Sequence, residues 1–243
     1  MKERTILVKG KPFTYNDEGD EMSYDTISPI SVDDAKKLLL KTKELFDKCG
    51  IRFCLTFGTL LGAVRDGTII PGDEDVDVFV ESEADLWNNI PFLYENGLRV
   101  CRIVEKYVYS FHVDNKSYID VYFKTKLPLS IWSLWCDSLV CRAVPRKYIN
   151  KYAEINFLGI NCLVPYKPER LLEFWYGKSW RIPVKGHIYT YEMPSRFWWK
   201  TKGKANFLRY LSYIKLLITN PYSFICRLFK KLKRTLAGNI IKK

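Results

Sequence analysis

The sequence predicts an α+β fold followed by a helical C-terminal extension. Three observations carry that reading. Segments of helical and of strand periodicity are interspersed between residues 31 and 176, with no internal repeat and no long linker. Hairpin signals fall at Asp114-Asn115-Lys116 and around Gly159, so part of the sheet is antiparallel. Finally, charge is segregated: after Glu192 there are 13 Lys and Arg and no acid, which leaves 26 basic against 27 acidic residues in 1–192. The 243-residue chain, 47% hydrophobic, is long enough for a core. It divides into an N-terminal segment 1–30, a domain 31–192 and a basic extension 193–243.

Residues 1–30 are polar and mixed, with Asn16–Asp20 read as a turn or mobile stretch. Ser31 begins a helix: acids fill the first turn, and Ala35, Leu38, Leu39, Thr42, Leu45 and Phe46 recur at helical spacing up to a stop at Gly50. Ile51–Phe57 is a strand, with Phe53 and Leu55 alternating against Arg52 and Cys54. Gly58-Thr59 then leads into a short helix ending near Val64. Val76–Val80 is a strand, Ser82 caps a helix to Ile90, and Asn96-Gly97 closes that region. Strand runs follow at Arg99–Val113, broken near Lys106, and at Ser117–Phe123. Residues 126–145 carry no clear period, and Arg146–Tyr152 reads as a short helix. Phe157–Val164 reads as a hairpin, and Pro168–Tyr176 as a helix ended by Gly177.

The seven cysteines include no C-x-x-C pair, and Cys136 and Cys141 are the nearest to a spaced pair. They are expected as small buried hydrophobes in a reducing compartment. The N-terminus lacks the apolar run of a signal peptide, and no stretch is long and apolar enough to span a membrane. The extension reads differently. Residues 205–219 are apolar and helical. Beyond Pro221, Ile225, Leu228, Phe229, Leu232 and Leu236 share one face, with Arg227, Lys230, Lys231, Lys233 and Arg234 on the other. That pattern fits a helix lying on an anionic membrane surface through 205–243. The alternative is a helix packed on its own domain. Nucleic acid is not expected as a partner, because the body has no excess of basic residues.

The functional centre is sought in Phe57–Val80, where a glycine-punctuated apolar segment turns at Pro71-Gly72 into an acidic strand. Asp73, Asp75 and Asp77 alternate, so an extended backbone puts them on one face, where a divalent cation would relieve their repulsion. Asp120 stands mid-strand in Tyr118–Tyr122, where an unpartnered buried carboxylate would be costly. Gly58 and Thr59 offer backbone N–H groups and a hydroxyl suited to phosphate oxygens.

These residues resemble the nucleotidyltransferase fold, and more narrowly the LicD/fukutin family of phosphotransferases. The resemblance rests on F-G-T-L-L-G-A-V-R-x-G-x-I-I-P-x-D-x-D-x-D at 57–77, on Ile119-Asp120-Val121, and on the block 165–183 containing W-Y-G-K-S-W-R-I-P. Gly72 and Asp66 depart from the family pattern, in which Trp and a basic residue or His are usual. The resemblance implies a mixed β-sheet core flanked by helices. It also implies transfer of a phospho-group, of phosphocholine or alditol phosphate type, from a CDP-linked donor to a hydroxyl of a cell-surface or lipid-linked glycan, with release of CMP. In that reading Asp75 and Asp77 hold Mg²⁺ (or Mn²⁺). Asp120 is a further ligand or the base, and Asp73 is an added ligand or a supporting residue. Arg65 is a diphosphate clamp or else an ion-pair partner of Asp66 or Asp73. Arg181 and His187 are further substrate-binding candidates, while the aromatic residues of Phe174–Trp180 and His112 are expected to be structural. The expected location is the cytoplasmic side of a membrane, peripherally bound. Two alternatives stay open: a nucleotidyltransferase adding NMP to a small molecule or sugar, and an inactive membrane-docked scaffold.

Overall fold

The computed structural model describes residues 2–19, 28–105, 107–114, 117–126, 132–136, 141–145, 148 and 150–183, with backbone alone for 124–126, 132–136 and 141–145. The chain divides into two units, Met1–Met193 and Pro194–Lys243. The second lies outside the described residues, and so do the helix readings over 205–219 and beyond Pro221.

Among the described residues the fold is α+β, with four helices around a mixed sheet. The chain enters through a hairpin of β1 (Lys2–Val8) and β2 (Lys11–Asp17). Lys9 and Gly10 both have positive φ, 51° and 77°, as a two-residue hairpin turn requires. This hairpin is the main departure from the sequence reading, which left residues 1–30 unassigned. Its polar alternation hides the few residues that anchor it: Tyr15 is 1% exposed, and Trp87 donates from Nε1 to the Leu7 carbonyl at 3.2 Å. Phe13 also meets Tyr94 edge-on at 5.3 Å.

Helix α1 (Val32–Lys48) forms as the spacing predicts. Ser31 Oγ accepts from the Asp34 N–H at 3.1 Å, and the same six residues are buried. Gly50, at φ 69°, follows its C-terminus. Strand β3 (Phe53–Leu55) is buried at all three positions rather than alternating, because it lies between β4 and β11 inside the sheet. Helix α2 (Phe57–Arg65) starts three residues earlier than the reading and takes Gly58 and Thr59 into its first turn. Helix α3 (Glu83–Glu95) runs through Pro91 instead of ending at Ile90, since Leu93 is fully buried and holds the last turn against the core.

The main sheet runs β10 (Tyr152–Phe157), β11 (Ile160–Pro165), β3, β4 (Asp75–Val80), β7 (Tyr118–Lys126), β6 (Val108–His112), β5 (Arg99–Val104). Strand β8 (Trp132–Cys136) pairs with the end of β7 and with β9 (Cys141–Pro145), both within the stretch that had no clear period. In that ribbon Cys136 is opposite Cys141. Most of the short helix read at 146–152 lies outside the described residues, and Tyr152 opens a strand instead. Helix α4 (Pro168–Tyr176) follows, with Leu171, Leu172 and Trp175 buried.

One sheet face is apolar and packs into the core: Val76, Val78 and Val80 of β4, Ile119 and Val121 of β7, Tyr109 and Phe111 of β6. The opposite face of those strands carries the polar residues treated below. Among the described residues no helix is long and apolar enough to cross a membrane.

Gly62 sits where α2 crosses the 68–70 loop, and a Cβ there would lie 2.5 Å from the Thr68 carbonyl oxygen. Backbone cannot rotate away, so Gly62→Ala is expected to cost about 1–3 kcal/mol in a urea unfolding measurement. Ala at Gly67, which meets open space but has φ 70°, is expected to cost about 1 kcal/mol.

Candidate active site

The site is built on the central parallel pair of the sheet. Gly72, at φ 92°, turns the chain after Pro71, and Asp73 is fixed by its N–H to the Ile70 carbonyl (3.0 Å) and by its own carbonyl, which accepts from Ile30 (2.8 Å). The chain then enters β4. Asp75 and Asp77 point to one face while Val76 and Val78, fully buried, point to the other. Strand β7 lies parallel to β4 in a register that puts Asp75 beside Tyr118 and Asp77 beside Asp120. Residues in register on neighbouring strands, about 4.8 Å apart, share a face. Asp77 and Asp120 are 8% and 3% exposed, so two carboxylates are buried side by side.

The N-terminus of α2 is tied to Asp77 by three hydrogen bonds. Thr56 N–H donates to the Asp77 carbonyl (3.1 Å), Asp77 N–H donates to Thr59 Oγ1 (2.8 Å), and Gly58 N–H donates to Asp77 Oδ2 (3.2 Å). Asp73 is close by, because a Cβ on Gly58 would stand 2.7 Å from Asp73 Oδ2. Glycine is therefore demanded at 58 by a carboxylate, not by a turn. Phe57 begins the helix at φ 43°, a strained value for an aromatic residue. It is held by Tyr122, edge-on at 4.9 Å, and by Trp175 of α4, stacked at 5.2 Å.

Asp120 has its own supports. Ser110 Oγ donates to Oδ1 at 2.5 Å, and Arg102 donates from Nη2 to Oδ2 at 2.6 Å and from Nε to Ser110 Oγ at 2.8 Å. The Tyr122 hydroxyl adds a longer contact to Oδ2, 3.4 Å. Burial alone would lower the Arg102 pKa, but the Asp120 carboxylate beside it holds it above its ordinary value.

The electrostatics of the group are those of crowded acids. Burial, then Asp77, Asp120 and Asp73, push Asp75 well above the usual carboxylate range. Burial, then Asp73 and Asp120, push Asp77 up likewise, against the opposing bonds from Tyr122 and Gly58. Among the described residues four carboxylates converge here, with the half-buried Arg102 guanidinium among their supports. An all-oxygen, hard donor set of this charge fits a hard divalent cation, which would supply the missing counter-charge.

The other expected site residues fall out as follows. Thr59 is 1% exposed and its hydroxyl already serves the Asp77 backbone, so it positions an acid. Arg65 makes a bidentate pair with Asp66, at 2.9 Å from Nε and 2.6 Å from Nη2. That is the ion-pair alternative named above. The exposed Arg181 guanidinium lies over the Trp180 ring at 4.1 Å. Trp175 and Trp180 are buried, as expected of core aromatics. His187 lies outside the described residues. The sequence reading missed Arg102 and Ser110. An Arg in the middle of the apolar run Val100–Val104 was the available signal, since a long cation inside a buried strand needs a buried acid.

The segment of chain that contains these acids is similar to known proteins. Residues 50–167 match the sequence model of the LicD/FKTN/FKRP nucleotidyltransferase domain. The human ribitol-5-phosphate transferase FKTN is 27% identical over 161 residues, which cover 62% of this chain and 34% of that protein. An uncharacterised protein of Rickettsia prowazekii (strain Madrid E) is 33% identical over 92 residues, covering 37% of this chain and 33% of its own. This chain thus spans about a third of the length of these relatives. The solved structure of the lincosamide adenylyltransferase LnuA aligns at TM-score 0.41 and 14% identity, over 60% of this chain and 85% of its own.

The crowding has a measurable consequence in the metal-free protein. In an unfolded chain an Asp titrates near about 3.9. Asp75 and Asp77 titrate higher in the folded state. Between those values the folded protein binds more protons than the unfolded one, so these two groups make stability fall as pH rises above about 4. In chelator-containing buffer, thermal unfolding followed by circular dichroism should show this decline in the wild type. In Asp75→Asn the decline should flatten. At pH 7 that variant's Tm should rise, by about 2–4 °C per kcal/mol of repulsion relieved.

Proposed function

We propose that the LicD/FKTN/FKRP-type nucleotidyltransferase domain at residues 50–167 makes this chain a metal-dependent phosphotransferase. It moves a phospho-group from a CDP-linked donor to a hydroxyl of a glycan. The observation that carries the proposal is the register of β4 and β7, which sets Asp77 beside Asp120 with Asp75 and Asp73 adjoining. The name of the human relative, a ribitol-5-phosphate transferase, supports an alditol-phosphate type of cargo.

In this reading Asp75, Asp77 and Asp120 hold Mg²⁺ or Mn²⁺, which when bound offsets negative charge on the donor's phosphates and on departing CMP. Asp120 acts as a ligand. Both its oxygens already accept from Ser110, Arg102 and Tyr122, so its carboxylate is fixed in direction, as a hard cation requires. Asp73 supports Asp77 from beside Gly58 and keeps that corner negative. The Gly58 N–H fixes the Asp77 carboxylate, and the Phe57–Tyr122–Trp175 cluster walls the site with apolar surface. The acceptor hydroxyl oxygen attacks the donor phosphorus, its proton passes to solvent, and the bond from that phosphorus to the CMP oxygen breaks, so CMP leaves. Arg65 and Arg181, both cationic and each now occupied by an intramolecular partner, are secondary candidates for phosphate contacts.

Two experiments test the proposal. The protein is incubated with a panel of CDP-linked donors, Mg²⁺ and glycan acceptors, and products are read by mass spectrometry. CMP release with a phospho-linked acceptor is expected, and Asp77→Ala should lower kcat at least about 100-fold. Pyrophosphate release would instead mean NMP transfer. No turnover with any donor, together with wild-type cellular phenotype in Asp77→Ala, would mean a scaffold. We also place the protein at the cytoplasmic face of a membrane, bound through the basic amphipathic residues 205–243 to anionic, lipid-linked substrate surroundings. Flotation with anionic vesicles should carry the full chain upward and leave a chain truncated after Lys204 at the bottom. Equal distributions would exclude this tail as the anchor.

A further inference from the structure

On the same sheet face as the acidic centre, two strands away from Asp75, a second cluster stands apart from the proposed reaction. It comprises Glu18, Cys101 and His112, at 8%, 0% and 4% exposure. One ligand atom from each lies within 4.8 Å of the others. We propose that these three residues form a zinc site that pins the N-terminal hairpin to the sheet.

Three separate pieces of chain bring the donors together. His112 ends β6, in register with Tyr118 of β7, which in turn is in register with Asp75. Cys101 is the extra residue of a β-bulge: Val100 pairs with Phe111 and Arg102 with Ser110, which leaves Cys101 without a register partner. The bulge therefore does two things, sending Arg102 to Asp120 and bringing Cys101, whose thiol donates to the Ser110 carbonyl at 3.4 Å, close to Glu18. Glu18 follows directly after β2, and its N–H donates to the Cys101 carbonyl at 2.7 Å. Its side chain is directed by the Tyr118 hydroxyl, which donates to Oε2 at 3.2 Å.

The donor set selects the metal. A thiolate and an imidazole favour zinc over magnesium, and a carboxylate is a common third ligand. One thiolate and one carboxylate balance the charge of Zn²⁺ while the imidazole stays neutral, so the buried site is uncharged overall. Binding releases the Cys101 thiol proton to solvent. With zinc–ligand bonds of about 2.0–2.3 Å, tetrahedral edges are about 3.3–3.7 Å. His112 Nε2 and Glu18 Oε1 are already 3.5 Å apart. The remaining pairs lie within 4.8 Å. Three protein ligands leave the fourth position to water. The buried Glu18 carboxylate already draws Tyr118 to Oε2 and His112 to Oε1, which fixes its direction toward the proposed metal.

The consequence is structural. Gly19, one residue beyond Glu18, lies against Arg102: a Cβ there would be 3.4 Å from Arg102 Cγ. Zinc at Glu18 thus fastens the chain segment that packs on the Asp120 support. The inference does not rest on the proposed phosphotransfer, and its readouts do not use activity.

The test uses the full-length protein, reconstituted with Zn²⁺, freed of excess on chelating resin and measured by inductively coupled plasma mass spectrometry. One zinc per chain is expected in the wild type and in Asp75→Asn, falling to background in Cys101→Ser and His112→Ala. Replacing Zn²⁺ by Co²⁺ should give a thiolate-to-cobalt charge-transfer band in the near ultraviolet, kept in Cys162→Ser and lost in Cys101→Ser. A wild-type protein that retains no zinc overturns the proposal, and so does zinc kept by both Cys101→Ser and His112→Ala, or a cobalt spectrum without a thiolate band. The wild-type cobalt spectrum decides even where a variant does not fold.

Discussion

Asp77 and Asp120, buried side by side across one parallel strand pair, are the constraint on which the rest of the structure depends. Two neighbouring carboxylates in a low-dielectric setting repel, and burial adds a cost for each charge. Everything near them can be read as a response. Gly58 N–H and Tyr122 reach Asp77, Ser110 and Arg102 take up both oxygens of Asp120, and the glycine at 58 leaves room for yet another acid, Asp73. These supports orient the acids without cancelling their charge. A protein selected for stability alone would not concentrate four acids at the end of its central strands. The arrangement makes sense as a site whose counter-charge arrives with a ligand.

The helical parts serve that arrangement through backbone geometry. In the first turn of helix α2 the Gly58 N–H turns to Asp77. Phe57 accepts a strained conformation so that the helix can begin directly under the acid, and the aromatic contacts to Tyr122 and Trp175 offset the strain. Helix α4, far along the chain, thus supports the same point through one ring. On the other flank the bulge at Cys101 lets β5 supply Arg102 to Asp120 and links the N-terminal hairpin to the sheet through Glu18.

Much of this was legible in the sequence, for physical reasons. The alternation of Asp75 and Asp77 fixes a shared face whatever the tertiary fold, and Asp120 announced itself as an acid where β structure has little use for one. The caps of α1 and α3 are local hydrogen bonds, so Ser31 and Ser82 could be read directly. What escaped depends on long-range packing. The N-terminal hairpin is anchored by Tyr15 and Trp87, which no local period reveals. Helix α3 continues through Pro91 because Leu93 is buried. Thr59 looked like a phosphate ligand by type, and its partner, the Asp77 backbone, is set by strand contact. Arg102 and Glu18 went unnoticed because a bulge and a hairpin exit carry no simple sequence signature.

The central claim is that the converging acids bind a divalent cation. The direct measurement is titration of the metal-free protein with Mn²⁺, with free Mn²⁺ followed by electron paramagnetic resonance at pH 7. The account predicts saturable binding that weakens sharply in both Asp77→Asn and Asp120→Asn and is competed by Mg²⁺. Binding that is absent from the wild type, or unchanged in both variants, would contradict it.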